Sequence, residues 1–278
     1  MRWPPPPDWP MAAHSRRVLC RPHRWHVQEA GTGETLLLIH GAGGATQSWR
    51  ALFPLLAQGH HVIAVDLPGQ GFSQSGAQTR LGLGSMAADL AALCADQGWQ
   101  PSRIIGHSAG VPIALALVGE GLRPPRGITG INAALSQFKG VAGVMFPMMA
   151  KALAMTPLTA QVFSATATPA SVRRLIAGTG STLDDAGLNL YLRLARDRAH
   201  VDATLSMMAQ WDLAPLLARL PAIDLPVHLI TGSADRAVPP QTSRDAAARL
   251  PAARVTDLPG LGHLAHEEDA AAIAALLT

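Results

Sequence analysis

Cysteine is scarce in this sequence, which has only Cys20 and Cys94 among its 278 residues. Two cysteines this far apart provide neither a disulfide framework nor the closely spaced ligand pairs of a zinc site. We therefore expect a protein of a reducing compartment that needs no metal and no other cofactor. Its predicted localisation is cytoplasmic, either free or peripheral to a membrane.

Lysine is scarce as well, with Lys139 and Lys151 as the only two. The other basic residues are arginines scattered along the chain, and the formal net charge is only +3. Because a nucleic-acid-binding surface needs a basic patch or stripe, no nucleic-acid partner is expected. Apolar residues make up 48% of the chain and charged residues 15%, a balance typical of a globular protein with a large core.

The sequence also lacks an apolar run long enough to cross a membrane. Residues 140–150 are apolar and uncharged, but Pro147 interrupts them and a lysine lies on either side. The start of the chain, residues 1–10, is rich in proline and has no apolar segment of the kind that a secretory signal contains. We expect no transmembrane segment, and an extended arm over residues 1–23.

Short apolar runs alternate with helical patterns in two parts of the chain, residues 24–132 and 224–278. Such alternation predicts an α/β core with a mostly parallel sheet, flanked by helices that cross over from strand to strand. Residues 133–223 show helical patterns only, so we predict a helical lid inserted before the last strands. The predicted strands are 25–28, 35–39, 61–65, 103–106, 127–132, 227–231 and 254–258, and the predicted helices are 48–57, 86–99, 113–118, 241–250 and one from about 267.

The strand predicted at 103–106 runs into Gly106-His-Ser-Ala-Gly110, and an apolar helical segment follows. Gly-x-Ser-x-Gly between a strand and a helix is typical of a nucleophile elbow, in which the two glycines let the strand and the helix approach closely. Ser108 would then stand at the strand end, where free N–H groups at the helix start face a developing oxyanion. A glycine-flanked turn with a solvated serine is the other interpretation of this pentapeptide.

Two more polar residues follow predicted strands, because Asp235 comes after 227–231 and His263 comes after the last strand. Catalytic groups of an open parallel sheet gather at the carboxyl ends of its strands, so we expect these two residues and Ser108 to meet. Their order along the chain, Ser then Asp then His, is that of the α/β-hydrolases. A turn aspartate without a catalytic role is the other interpretation of Asp235.

Five motifs together resemble the α/β-hydrolase superfamily and cover the chain from about residue 24 to its end. Further segments resemble the magnesium-chelatase accessory proteins of bacteriochlorophyll biosynthesis, and this second resemblance includes the predicted lid and the proline-rich start. The hydrolase motifs are His40-Gly41 with Ser48-Trp49, Asp66-Leu-Pro-Gly-Gln-Gly-Phe-Ser73, Gly106-His-Ser-Ala-Gly110, Gly232-Ser-Ala-Asp235 and Gly262-His263. The accessory-protein segments are 25–28, 132–140, 179–184, 200–201, 207–212 and 263–268.

The resemblance implies acyl transfer, in which Ser108 attacks a carbonyl carbon, His263 takes the serine proton and Asp235 orients the imidazole. It also implies an oxyanion hole formed by the backbone N–H groups of Ala42 and Ala109. A serine at the elbow argues against dehalogenase or epoxide-hydrolase chemistry, which needs a carboxylate at that position. We expect a serine hydrolase that acts on a bulky apolar carbonyl substrate.

The second resemblance implies a role in bacteriochlorophyll biosynthesis and association with a magnesium chelatase. The substrate would then be an apolar small molecule, with a tetrapyrrole as the candidate. The alternative is a non-catalytic protein that binds a tetrapyrrole on a hydrolase fold. An intact Ser-Asp-His set favours the enzyme, whereas a role beside a chelatase favours the binding protein.

The predicted lid has few charges, because Lys139 and Lys151 are the only charged residues between Ala133 and Ala170. Methionines in this region suit a broad apolar ligand, although packing within the lid is the other interpretation of that cluster. The sequence His263-Leu-Ala-His-Glu-Glu268 contains groups that bind metals, but no further ligands gather near it and a helix start explains the acids. The predicted substrate contacts are Gly41, His107, Met145, Phe146, Met149 and Trp211, with His107 also expected to orient loops.

Overall fold

One eight-stranded sheet forms the centre of the protein in a computed structural model that describes residues 1–136 and 157–277. The strand order is β1-β2-β4-β3-β5-β6-β7-β8. Strands β3 to β8 are parallel, whereas β1 and β2 form an antiparallel pair and β2 runs antiparallel to β4. The strands are β1 (Ser15–Cys20), β2 (His23–Ala30), β3 (Thr35–Ile39), β4 (His61–Val65), β5 (Arg103–His107), β6 (Gly127–Ile131), β7 (Val227–Gly232) and β8 (Ala253–Leu258).

Both faces of the sheet are buried, as the side chains of β3 show. Leu37 and Ile39 pack into one apolar cluster, while Leu36 and Leu38 pack into a second cluster on the opposite face. Successive side chains of a strand point to opposite faces, so a strand covered on both sides is apolar at nearly every position. The predicted parallel sheet flanked by helices is thus confirmed. The core helices are Leu52–Leu56, Leu83–Asp96, Gly110–Leu117, Gln241–Ala247, Ala265–Glu268 and Ala270–Ala275.

The sheet begins earlier than the sequence predicts. Residues 1–23 were expected to form an extended arm, but β1 pairs with β2 from Ser15 opposite Gln28 to Cys20 opposite His23. In β1 only Val18 is buried, because the strand lies at the sheet edge with polar residues around it. A single buried residue leaves no alternating pattern, and this is why β1 is not visible in the sequence.

The proline-rich start is fixed to the body by Trp9. Only 2% of this residue is exposed, and its ring meets that of Phe72 edge to face with centroids 4.9 Å apart. Leu190 and Leu194 belong to the same apolar cluster. The start of the chain therefore packs between a loop of the core and the helices that precede β7.

Between β6 and β7 the regular structure of the described residues is helical, with short loops between the helices. Three of them begin with a side-chain cap, in which Thr168, Asp184 or Asp197 accepts a backbone N–H three residues further on. No helix within the described residues has the length and hydropathy needed to span a bilayer. These inserted helices are Pro157–Thr166, Pro169–Gly178, Asp185–Ala195, Arg198–Ala209 and Ala214–Arg219.

Asp66, directly after β4, connects strand β2 to the loops that follow β3 and β4. Its Oδ1 accepts the Thr46 N–H at 2.6 Å, and its Oδ2 accepts the Phe72 N–H at 2.8 Å and a proton of His26 Nδ1 at 2.6 Å. Burial alone would raise the pKa of Asp66, but the charge and hydrogen bonds of these partners lower it to about 2. The carboxylate therefore holds the segments that follow β3 and β4 to each other and to β2.

We expect Asp66→Asn to lower the free energy of unfolding by about 3 kcal/mol at pH 7, because an amide NH₂ would face a backbone N–H in a buried site. Since the pKa of Asp66 is depressed in the folded protein, its stabilisation is present above about pH 4 and is lost as the pH falls towards 2. Denaturant titrations at pH 7 and pH 3 measure both effects. The exposed Asp224→Asn is the control, and equal stability of the two variants at pH 7 would contradict this role.

Candidate active site

The three residues that the sequence places after strands converge at one edge of the sheet. Ser108 Oγ lies 3.0 Å from His263 Nε2, and Asp235 Oδ2 lies 2.8 Å from His263 Nδ1. Ser108 directly follows β5, while the other two residues lie in the loops after β7 and β8. The structure thus brings the predicted Ser, Asp and His into one hydrogen-bonded array.

The backbone at Ser108 has a φ of 51°, a left-handed conformation that is rare for a residue with a side chain. The Ser108 N–H donates to Ile131 O at 2.9 Å, and its carbonyl accepts the N–H of Val111 and of Ala134. These bonds tie the turn to the end of β6 and to the following helix. A strained residue persists only where its surroundings determine its conformation in this way.

Asp235 makes hydrogen bonds of two kinds, those of a turn aspartate and one to His263. Its Oδ1 accepts the N–H groups of Ala237 and Val238, each at 2.8 Å, as a turn aspartate does. Its Oδ2 is left for the Nδ1–H of His263. That bond places the imidazole proton on Nδ1, so Nε2 is free to accept the proton of Ser108 Oγ.

The backbone N–H groups of Ala42 and Ala109 have no hydrogen-bond partner anywhere in residues 1–136 and 157–277. Gly41 brings the first of them close to the serine, because a Cβ on Gly41 would lie 2.9 Å from the Ser108 Cβ. The Gly41 carbonyl is held by the Nδ1–H of His40 at 2.8 Å and by the Gly44 N–H at 3.1 Å. Because the carbonyl and N–H of a trans peptide point in opposite directions, the Ala42 N–H points away from His40.

His40 is an internal support of this loop. It is fully buried, its Nε2 accepts the Leu67 N–H at 3.0 Å, and its Nδ1–H donates to Gly41 O. Burial lowers the pKa of His40, so the imidazole is neutral at physiological pH. Both nitrogens are occupied, so His40 orients the loop.

Asn132 is a residue of the site that the sequence reasoning did not single out. Its Nδ2 donates to the carbonyls of Gly262 and His263 at 2.9 and 2.7 Å, and its Oδ1 accepts the Gly232 N–H at 2.8 Å. It therefore connects the loop that carries Asp235 to the loop that carries His263. Its place directly after β6, at the carboxyl edge of the parallel strands, is the signal that could have identified it.

His107 lies behind His263 in the protein interior. Its Nε2–H donates to the His263 carbonyl at 2.9 Å, and its ring stacks against His266 with centroids 4.3 Å apart. Burial, followed by the charges of the neighbouring histidines, holds its pKa well below the usual value. This placement agrees with the expectation that His107 orients a loop, and its predicted contact with the substrate stays a prediction.

The remaining predicted substrate contacts have different positions. Gly41 lies against Ser108, whereas Trp211 is half-buried against the larger core cluster, with no ring contact or hydrogen bond to the array among the described residues. Met145, Phe146 and Met149 lie outside the described residues.

His266 and Glu267 form a buried polar pair behind the array. The His266 ring lies between His107 and Trp49, and burial lowers its pKa to about 3. Glu267 Oε1 accepts the Tyr191 hydroxyl at 2.7 Å, and burial raises the Glu267 pKa to about 8. Within the described parts of the chain, no cluster of three or more His, Cys, Asp or Glu residues could hold a metal ion.

The raised pKa of Glu267 gives stability a pH dependence. The folded protein keeps the Glu267 proton up to about pH 8, whereas the unfolded chain loses it near the ordinary glutamate value of about 4.5. The unfolded state binds fewer protons in this window, so stability falls as the pH rises from about 4.5 to 8.

We expect Glu267→Gln to weaken the decrease of stability with rising pH, because an amide keeps the hydrogen bond from Tyr191 and does not ionise. The loss of unfolding free energy between pH 5 and pH 8 should shrink by about 2 kcal/mol or more relative to wild type. Denaturant titration at both pH values measures it, with the exposed Glu120→Gln as the matched control. The same pH slope in wild type and Glu267→Gln would contradict a buried protonated carboxyl.

Comparison with known proteins gives relatives along almost the whole chain. The family model for the alpha/beta hydrolase fold matches residues 34–270. The magnesium-chelatase 30 kDa subunit of Rhodobacter capsulatus is 45% identical over 265 residues, which cover 94% of this chain and 92% of that protein. The extended similarity therefore includes the inserted helices as well as the core.

Solved structures show the same architecture. An alpha/beta hydrolase fold protein from Burkholderia ambifaria has a TM-score of 0.78 and 25% identity, covering 94% of this chain and 96% of the other. The epoxide hydrolase CorEH has a TM-score of 0.80 and covers 95% and 96% of the two chains, but its 18% identity shows the fold alone. With a matching family model over most of its length and a relative similar from end to end, this chain belongs to the α/β-hydrolase fold family.

Proposed function

We propose that this protein is a serine hydrolase that acts on a bulky apolar carbonyl substrate. The observation that carries the proposal is the array in which Ser108 Oγ contacts His263 Nε2 while His263 Nδ1 contacts Asp235. The array has the bonding order of a nucleophile, a general base and an orienting carboxylate. Because Asp235 fixes the imidazole tautomer, His263 is ready to take the serine proton.

The reaction has two halves. Ser108 Oγ attacks the carbonyl carbon as His263 Nε2 takes its proton, and the carbonyl electrons move onto the oxygen. The N–H groups of Ala42 and Ala109 bind that oxyanion, and one such donor typically contributes about 10²–10³ to the rate. The intermediate collapses as His263 protonates the leaving group. A water molecule deprotonated by His263 then hydrolyses the acyl-Ser108 ester and restores the enzyme.

The inserted segment, residues 133–223, acts as the lid of a core formed by 24–132 and 224–278. Three bonds to the loops of the array support this assignment. The Leu264 N–H donates to Ser181 Oγ at 2.8 Å, the Arg236 N–H donates to Thr179 O at 3.0 Å, and the Thr182 N–H donates to Glu268 at 3.4 Å. The sparse charge of residues 133–170 favours an apolar ligand, and Met145, Phe146 and Met149 are the candidate contacts.

We expect a fluorophosphonate probe to label the wild type at Ser108. Ser108→Ala should lose the label and at least about 10³-fold of any esterase activity, because Ser108 is the side chain that is hydrogen-bonded to His263 Nε2. Peptide mapping by mass spectrometry locates the label, and Ser206→Ala, a serine outside the array, is the matched control. Labelling that persists in Ser108→Ala, or that maps to another residue, would overturn the assignment.

A second candidate function is supported by the relative named magnesium-chelatase 30 kDa subunit. On this basis the protein serves bacteriochlorophyll biosynthesis beside a magnesium chelatase, with a tetrapyrrole as its ligand. The role is catalytic if Ser108 acts on that ligand, and non-catalytic if the fold only binds it. The catalytic and the non-catalytic role share the same apolar ligand. They differ in whether the protein needs Ser108 to fulfil its role.

Deletion of the gene should lower pigment and accumulate a precursor, and wild type should restore both. Ser108→Ala should fail to restore them if catalysis is the purpose, while Ser206→Ala should succeed. Pigment absorbance and chromatography of the intermediates provide the measurement. Full rescue by Ser108→Ala would leave only the binding role, and unchanged pigment on deletion would remove the pathway assignment.

A further inference from the structure

The turn that carries the Ala42 N–H is held at three points. The carbonyl of its first residue, Gly41, accepts the N–H of its fourth residue, Gly44. The third residue, Gly43, has a φ of 75°, the left-handed conformation that such a turn requires at this position. The Gly43 N–H donates to Gln70 Oε1 at 3.0 Å, and the Gly43 carbonyl accepts the Nε2–H of His200 at 3.2 Å. The peptide groups that follow Ala42 are therefore fixed by two side chains from outside the turn.

His200 comes from an inserted helix, Arg198–Ala209, and its geometry permits one arrangement. Its Nδ1 accepts the Gly71 N–H at 3.0 Å, so the ring proton must lie on Nε2, which donates to Gly43 O. Only 2% of His200 is exposed, and burial lowers its pKa to about 4, so the ring stays neutral. One imidazole thus joins the turn after β3 to the loop after β4.

The helix that carries His200 is seated on these loops along one face. Asp197 caps its start by accepting the His200 N–H at 2.9 Å. Ala203 packs closely against the loop after β4, because a Cβ added to Gly69 would lie 2.5 Å from the Ala203 Cβ. Met207 Sδ accepts a hydrogen bond from Gln70 Nε2 at 3.2 Å. Positions 200, 203 and 207 recur at helical spacing, so the helix meets the core in a defined register.

We propose that His200, supported by Gln70, is a positioning residue that sets the orientation of the Ala42 N–H together with His40. This inference rests on the proposed serine hydrolase, in which that N–H binds the oxyanion. An oxyanion donor works only when it points at the place where the charge develops, so a rotated turn loses rate without losing substrate binding. The inserted helices thereby contribute to the chemical step as well as to the pocket.

Two substitutions separate the two bonds of His200. In His200→Gln the amide can reach the position of Nε2 and donate to Gly43, but it leaves the Gly71 N–H without its acceptor. In His200→Asn the shorter side chain keeps an acceptor near the position of Nδ1 for Gly71 but cannot reach Gly43. A purely structural role predicts similar losses for both variants, whereas a positioning role predicts that only the bond to Gly43 governs catalysis.

We expect His200→Asn to lower kcat for an aryl ester about tenfold with KM within about twofold of wild type, and His200→Gln to keep most of kcat. This loss of kcat is smaller than the ~10²–10³-fold loss that follows removal of an oxyanion donor, because in His200→Asn the Ala42 N–H is still present and is only displaced. Thr168→Ala is the matched control, since it removes the cap of another inserted helix without touching the turn. An equal loss of kcat in His200→Asn, His200→Gln and Thr168→Ala would overturn the proposal.

Backbone amide exchange at Gly43 and Gly44, followed by NMR, tests the position of the turn without catalysis. Exchange should be faster in His200→Asn than in wild type and little changed in His200→Gln. Should the wild type react with no fluorophosphonate or aryl ester, the proposed hydrolase fails, and this exchange still decides whether His200 holds the turn. Unchanged exchange in His200→Asn would refute the positioning role whatever the activity shows.

Discussion

The close approach of one helix to two strands governs the geometry of this site. A Cβ on Gly110 would lie 2.1 Å from Ile39 O, and a Cβ on Gly106 would lie 2.7 Å from the Gly110 backbone, so neither position tolerates a side chain. Between these glycines the backbone of Ser108 takes a left-handed conformation that costs of order 1–3 kcal/mol. The buried apolar sheet supplies the stability that holds this conformation. Ser108 is therefore displayed at the end of β5 because of a packing constraint beneath it.

Buried neutral imidazoles are the second common feature of the site. His40, His107 and His200 each donate one N–H to a carbonyl of a loop that surrounds Ser108, namely to Gly41, His263 and Gly43. Burial lowers the pKa of all three, so each carries a single ring proton and no positive charge at physiological pH. A neutral imidazole can donate and accept at once, and His40 and His200 do both. Loop geometry is thus fixed without adding positive charge beside His263.

Local patterns in the sequence predicted the parts of the fold that local physics determines. The runs at 35–39 and 61–65 match β3 and β4 because strands buried on both faces are apolar throughout. The meeting of Ser108, Asp235 and His263 was predictable because the carboxyl ends of parallel strands share one edge. Asn132 could have been identified by the same reasoning, because it directly follows β6. His200 was not predictable as a support, since it lies in a helix rather than at a strand end and its partner Gly43 is 157 residues away. Edge strand β1 was missed because a mostly exposed strand has no apolar alternation.

The supports of the array divide between the core and the inserted segment. The Ser108 N–H is bonded to Ile131 at the end of β6, so the conformation of Ser108 depends on the sheet. The loops after β3, β7 and β8 each receive a bond from the insertion, through His200, Thr179 and Ser181 respectively. A shift of the inserted helices would therefore move the turn after β3, Asp235 and His263 relative to Ser108. The position of Ser108 depends on the sheet, whereas its alignment with Asp235 and His263 depends also on residues of the inserted segment.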